Sequence, residues 1–290
     1  MKRTVLITGC SSGFGRLTAE TLAGRGHSVF ATMRDIDGKN AAVAHALRER
    51  AAATGQSIHV LDLDVTSDAS VVTAVDAVFE HTDRLDVAVN NAGIFSGGYL
   101  EAYRMEDIQH VFDVNVYGAM RVNRAVLPHM RRRGEGLLVH VSTVAARTPF
   151  PFSVPYAASK SALEALAQGY RYELALLGID SVIVEAGAFP TAILDKMTWA
   201  RDEERAAGYE IVEELKDRSF SGLRDYVSSD DAPDSRQVAT AIADLIDLSG
   251  DRPLRTVVDP FGAGIRRINE VAAAAQREVM ESAGLGALVR

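Results

Sequence analysis

Tyr156 and Lys160 stand four residues apart in YAASKSALEALAQGYRYEL, where apolar residues recur at helical spacing. Both side chains therefore leave one helix face about one turn apart. A lysine ammonium near a phenol stabilises the phenolate, so the tyrosine pKa is expected to fall toward working pH, as an acid/base catalyst requires. Tyr156 would then protonate a carbonyl oxygen during reduction. Alone, the pair also describes a core tyrosine one turn from a surface lysine. The stretch TGCSSGFG, Thr8 to Gly15, argues against that plain reading. It lies between apolar VLIT and a segment with helical periodicity. A glycine-rich turn from strand to helix lets backbone approach a pyrophosphate, while free amides at the helix N-terminus supply donors and a positive dipole. Gly9, Ser11, Ser12, Gly13, Phe14 and Gly15 are thus expected to hold a dinucleotide. Their glycine spacing differs from G-x-G-x-x-G, and a structural tight turn is the alternative.

These groups need a frame, and the chain supplies one. Short β-branched runs (TVLIT, SVFAT, SIHVLDLDV, LDVAVN, GLLVHVS, SVIVEA, LRTVVD) alternate with amphipathic segments beginning at Gly13, around 41–53, at 69–81, and near 104–132, 155–177 and 236–248. This alternation predicts an α/β fold, a Rossmann-like doubly wound parallel sheet of about seven strands with helices on both faces. No repeat or low-complexity linker divides it, so residues 1–290 are expected to form one domain. The irregular stretch 190–235 is expected to be a substrate-binding lid inserted in it.

Composition bounds the rest. At 290 residues, 47% hydrophobic and 24% charged, the chain reads as an ordinary globule, and no apolar run approaches the roughly 20 residues of a membrane helix. A net charge of −8 argues against a nucleic-acid partner, and Arg131 to Arg133 read as a solvated helix end. MKRTVLIT runs straight into a strand without the features of a secretory signal, making a cytoplasmic location the default. The single cysteine, Cys10, allows no internal disulfide and no metal cluster, so no metal is expected and Cys10 packs the turn.

Cofactor choice rests on the end of the second strand, SVFATMRD. An acidic residue there would bind the adenosine ribose hydroxyls of NAD, whereas an arginine fork suits the 2′-phosphate of NADP. The selecting position counts to Met33, with Arg34 next, so NADP(H) is expected. Asp35, after a small register shift, would instead favour NAD(H).

TGCSSGFG, NNAG at 90–93, the asparagine of VFDVNVYG and YAASK at 156–160 occur in an order and spacing that match across nearly the whole chain. Together they resemble the short-chain dehydrogenase/reductase family in its single-domain branch, nearest to reductases of hydroxysteroids, retinoids and similar lipophilic carbonyls. The resemblance implies an NAD(P)-dependent oxidoreductase acting on CH–OH groups. It implies a second carbonyl donor from the strand before Tyr156. An ungapped count places Thr143 where the family has serine, and Ser142 takes that place if the strand carries a one-residue bulge. It assigns Asn115 a proton-relaying water, Asp64 and Val65 the adenine, and Asn91, Ala92 and Gly93 the adenosine side. Gly187, Phe189 and Thr191 fall at the nicotinamide end, with Ala186-Gly187 replacing the family's Pro-Gly. Pairing through the helices that carry Asn115 and Tyr156 implies a homodimer or homotetramer. A non-catalytic sensor of the NADP(H) ratio is the alternative, although it would not need the Tyr156, Lys160 and Asn115 set. Epimerisation or dehydration, as in a longer branch, lacks its C-terminal substrate domain here.

The apolar residues opening the insertion, Ile193, Leu194, Met197 and Trp199, are expected to line a substrate pocket with Phe95, Phe150 and Phe152. The charged run ARDEERAAGYEIVEELKDR would face water as the lid. The expected small-molecule partner is a lipophilic or aromatic ketone or aldehyde, or the matching alcohol.

Overall fold

Each β-branched run becomes a strand and each amphipathic run a helix. The computed structural model describes residues 2–289. The first half comprises β1 (Thr4–Ile7), α1 (Gly13–Gly24), β2 (Ser28–Met33), α2 (Ala41–Thr54), β3 (Ile58–Asp62), α3 (Asp68–His81) and β4 (Val87–Asn90). Next come the short β5 (Ser96–Gly97), α4 (Met105–Phe112), α5 (Gly118–Arg133), β6 (Gly136–Thr143), α6 (Val154–Glu173) and β7 (Ile179–Ala186). The chain finishes with the short β8 (Thr198–Trp199), α7 (Glu203–Ala206), α8 (Glu213–Ser228), α9 (Arg236–Asp247), β9 (Arg255–Val258) and α10 (Ala263–Ser282).

Seven strands form one parallel sheet in the order β3-β2-β1-β4-β6-β7-β9. Val5, Ile7, Val29, Val89 and Val139 pack with Leu22, Leu47, Ile242 and Ile246 of α1, α2 and α9. Leu6, Phe30, Ala88 and Leu138 pack on the other side with Val75, Val78, Val126 and Met130 of α3 and α5. Alternate strand residues thus supply two separate cores, as expected for a sheet buried on both faces. The order reverses between β1 and β4, which opens a crevice beyond their carboxyl ends.

Three elements differ from the sequence expectation. The helix expected over 104–132 is divided by a π-helical turn at Asp113–Tyr117, which carries Asn115. The insertion contributes a strand as well as helices, because β8 pairs in parallel with β5. The C-terminal α10, which the sequence reading left unassigned, covers the sheet beside β9.

Candidate active site

A cavity of about 980 Å³ runs along the carboxyl edge of the sheet. At its centre is the turn after β1. Gly9 has φ 75°, and a Cβ there would stand 2.9 Å from the Ala92 Cα. A Cβ on Gly15 would come within 2.5 Å of the Gly9 carbonyl oxygen and also strike the Asn91 amide. Gly15 itself does not line the cavity; its bare Cα lets α1 sit against the neighbouring loop. Ser12, at the N-cap of α1, makes no side-chain cap, and the first turn carries no acidic residue. The amides of that turn, with Ser11, Ser12, Gly13 and Phe14 lining the cavity, fit a diphosphate by charge and by the space that only glycine leaves.

Asn91 works on the turn itself. Its amide donates to Thr8 O at 2.8 Å and Gly9 O at 3.2 Å, so its side chain braces the glycine turn, and the residue also lines the cavity. Ala92 and Gly93 line the cavity.

At one end stand Arg34, Asp64 and Val65, joined by Lys39 and Asn40. Arg34 is 58% exposed and 3.8 Å from Asp64. Burial pushes the Asp64 carboxyl up, but the Thr66 amide and hydroxyl, with Arg34 and Arg121, hold it below its ordinary value. Asp35 also lines this end of the cavity. At φ 55° it folds its carboxylate back to accept the Lys39 N–H at 2.8 Å. The sequence reading missed Lys39, which the turn around Asp35 brings beside Arg34.

At the other end are Tyr156, Lys160 and Thr143, with Asn115 next to Gly93. Strand β6 pairs with β7 in unbroken register from Gly136↔Ile179 to Thr143↔Ala186, leaving no bulge to move Ser142 into the Thr143 position. Successive strand residues face opposite ways. Ser142 accordingly donates to Glu164 Oε1 at 2.7 Å behind the site, while the Thr143 hydroxyl lies beside the Tyr156 phenol. Asn115 is fully engaged: it accepts from Ile94 N at 2.8 Å and donates to Ile94 O at 3.0 Å and Ser159 Oγ at 2.9 Å. Lys160 is 4% exposed and donates to Val141 O at 2.8 Å. A Cβ on Gly93 would stand 3.2 Å from Asn115 Oδ1 and 3.3 Å from Lys160 Nζ, so this glycine lets the two groups approach.

The sign of the tyrosine shift is opposite to the sequence expectation. Burial pushes the Tyr156 phenol up to about 12, only partly countered by the Thr143 hydroxyl. Lys160 does not offset it, because its ammonium is turned to Val141 O and is itself pushed down to about 8 by burial. Gly187, Phe189 and Thr191 line the same end, with Phe189 set edge-on to Phe14 at 5.7 Å. Cys10 is buried behind the turn and pushed up to about 12, which leaves it an inert packing group.

Beyond Tyr156 the cavity wall includes Phe95, Phe150, Ile193 and Leu194. Phe95 lies edge-on to the Tyr156 ring at 4.7 Å. Three residues expected in this wall are elsewhere. Phe152, at φ 66°, turns its ring onto Tyr99. Met197 precedes β8 and Trp199 ends it; Thr198 lines the cavity, while Met197 packs toward Gly97 and Trp199 lies edge-on to Phe220. Their place is taken by Phe220, Leu223, Tyr226 and Val227 of α8, with Phe261 before α10. Lys196, also missed, reaches across to Ser12 Oγ at 3.0 Å.

The profile of the family described as short chain dehydrogenase matches residues 3–202. The uncharacterized oxidoreductase YusZ of Bacillus subtilis is 34% identical over 269 residues, 91% of each chain. Bovine (Bos taurus) retinol dehydrogenase 8 is 40% identical over 198 residues, 67% of this chain and 62% of that protein. A short-chain dehydrogenase/reductase from Burkholderia phymatum, solved in complex with NAD, superimposes with a TM-score of 0.76 at 25% identity, covering 95% of each chain. The chain belongs to the short-chain dehydrogenase/reductase family. It is an oxidoreductase acting on CH–OH groups.

Proposed function

We propose that the protein is an NADP(H)-dependent reductase of lipophilic or aromatic ketones and aldehydes, working reversibly on the matching alcohols. The observation that carries this reading is the convergence, in one cavity, of the glycine turn with Thr143, Tyr156 and Lys160, Asn115 standing next to Gly93 of the cavity wall. The glycine turn and the N-terminus of α1 would hold the diphosphate. Arg34 and Lys39 line the cavity end after β2, where the Lys39 amide engages one Asp35 oxygen, and their charge favours a 2′-phosphate over bare ribose hydroxyls. When bound, the nicotinamide supplies a hydride to the carbonyl carbon.

The chain's own groups handle the oxygen. The Thr143 hydroxyl donates a hydrogen bond to it, and Tyr156 gives it a proton. A phenol held near 12 is fully protonated at neutral pH, the form that reduction needs. Lys160, one turn along α6 and held to Val141 O, is the cation on the same helix face, and Asn115 fixes the Ile94 backbone that frames the pocket. Apolar side chains from the insertion and α8 exclude water, and Lys196, the insertion's cation in the cavity lining, is engaged with Ser12. In this reading residues 190–235 form the lid, a homo-oligomer pairs through the helices bearing Asn115 and Tyr156, and the location is cytoplasmic. Similarity to a retinol dehydrogenase supports the substrate class.

The test is NADPH oxidation with aromatic ketones, steroids, retinal, short aldehydes and keto sugars. Turnover of the lipophilic members is expected. A strong preference for phosphorylated or carboxylated substrates over matched neutral ones would contradict the reading.

A further inference from the structure

Tyr156 and Lys160 are the first two members of a longer series. Glu164 follows at the same four-residue spacing, so all three lie on the buried face of α6, successive members about 6 Å apart along the axis. Consecutive residues of β6 meet them. The Val141 carbonyl accepts from Lys160 Nζ at 2.8 Å, and the Ser142 hydroxyl donates to Glu164 Oε1 at 2.7 Å. Behind Glu164, Arg255 of β9 places its Nε 3.3 Å from Glu164 Oε2 and 3.3 Å from Glu185 Oε1 of β7. Asn269 of α10 donates to the other oxygen of Glu185 at 2.5 Å. Glu164 is 2% exposed and Glu185 fully buried.

We propose that Glu164 is a positioning residue whose carboxylate, tied to Ser142 and Arg255, is the counter-charge that keeps the Lys160 ammonium protonated beside Val141 and Gly93. This rests on the reading of Lys160 given above. The charges facing the pair are Arg255 and Arg147, the acid Glu185, the phenol of Tyr156 and the imidazole of His140. Burial, then the charge of Glu164, pushes Glu185 up. His140, buried and pushed down to about 3, stays neutral and adds no competing charge. Burial alone would drive Lys160 down further than about 8; Glu164 is the group that opposes it.

The test titrates Lys160 in the cofactor-free chain by ¹³Cε-lysine NMR, with the resonance assigned by its loss in Lys160→Arg. Glu164→Gln is expected to lower the Lys160 midpoint by about 0.5–1 pH unit, with the alkaline limb of kcat/KM moving down alongside it. Glu164→Asp, which keeps the charge, is expected to return the midpoint to within about 0.3 unit of the natural chain. If Glu164→Gln loses its cooperative melt, Glu164→Met carries the same expectation, since it leaves Arg255 paired one-to-one with Glu185. An unmoved midpoint in either folded variant overturns the inference, as does an Asp variant displaced as far as Gln. Because the titration needs no turnover, these outcomes are separate from the catalytic reading, which fails instead if Lys160→Met keeps its rate.

Discussion

Replacing Arg34 with alanine separates the two cofactors. The guanidinium lies at the cavity end formed after β2, and its nearest acid, Asp64, is 3.8 Å away. A shielded charge-assisted contact to phosphate contributes about 1.5–3 kcal/mol. The side chain is 58% exposed, so water screens the contact, and Asp64 competes for the same cation. Those two effects reduce the contribution to about 1–2 kcal/mol, a loss of roughly five- to thirtyfold in NADPH affinity. Lys39 remains to hold part of the phosphate charge, so binding weakens without vanishing. NADH carries no 2′-phosphate, and its affinity should change by less than about twofold on the same reasoning. Calorimetric titration of both cofactors into the natural chain and Arg34→Ala reads the difference directly. An equal loss for NADPH and NADH, or no loss for either, refutes the assignment of Arg34 to the phosphate.

Lys196→Ala offers the contrast: Lys196 bridges to Ser12 at the diphosphate turn, so both cofactors should weaken alike, by about three- to tenfold; a selective loss of NADPH would place Lys196 at the 2′-phosphate instead. Gly15→Ala should destabilise the fold by about 1–3 kcal/mol, because its Cβ would sit 2.5 Å from Gly9 O; an unchanged urea midpoint would show that the turn can yield. His140 has its folded pKa depressed to about 3 from an ordinary 6.5. The unfolded chain therefore binds the extra proton between those values, and stability falls as pH drops below 6.5, by up to about 1.4 kcal/mol per unit. His140→Leu should flatten that slope in urea melts between pH 6.5 and 4.5, and an identical slope would place the acid sensitivity elsewhere.

Elements whose signal is local periodicity were legible in the sequence. The seven sheet strands and the helices between them carry strong apolar patterns, and the glycine turn and the four-residue spacing of Tyr156 and Lys160 mark their positions without tertiary information. What escaped depends on contacts between distant segments. The insertion reads as an apolar helical face, yet pairing with β5 turns 198–199 into a strand, and Met197 and Trp199 pack toward Gly97 and Phe220 instead of lining the cavity. Phe152 is lost to the pocket through a single left-handed residue that no side-chain pattern announces. Ser142 and Thr143 are chemically near-equivalent, and only the unbroken β6–β7 register separates them. The direction of the Tyr156 shift follows from burial and from where Lys160 points, neither of which spacing encodes. Lys196, the inner face of α8 and α10 reach the site or its support by long-range packing, and Lys39 by the left-handed turn at Asp35.

The central claim is that Tyr156 delivers the proton in an NADPH-dependent carbonyl reduction, and single-turnover reduction of a lipophilic ketone by the NADPH-loaded Tyr156→Phe protein tests it most directly. The rate should fall by about 10²–10⁴-fold with the NADPH dissociation constant held within about threefold, since the phenol hydroxyl is lost while the diphosphate turn and Arg34 are untouched. A Tyr156→Phe rate within tenfold of the natural chain would contradict it.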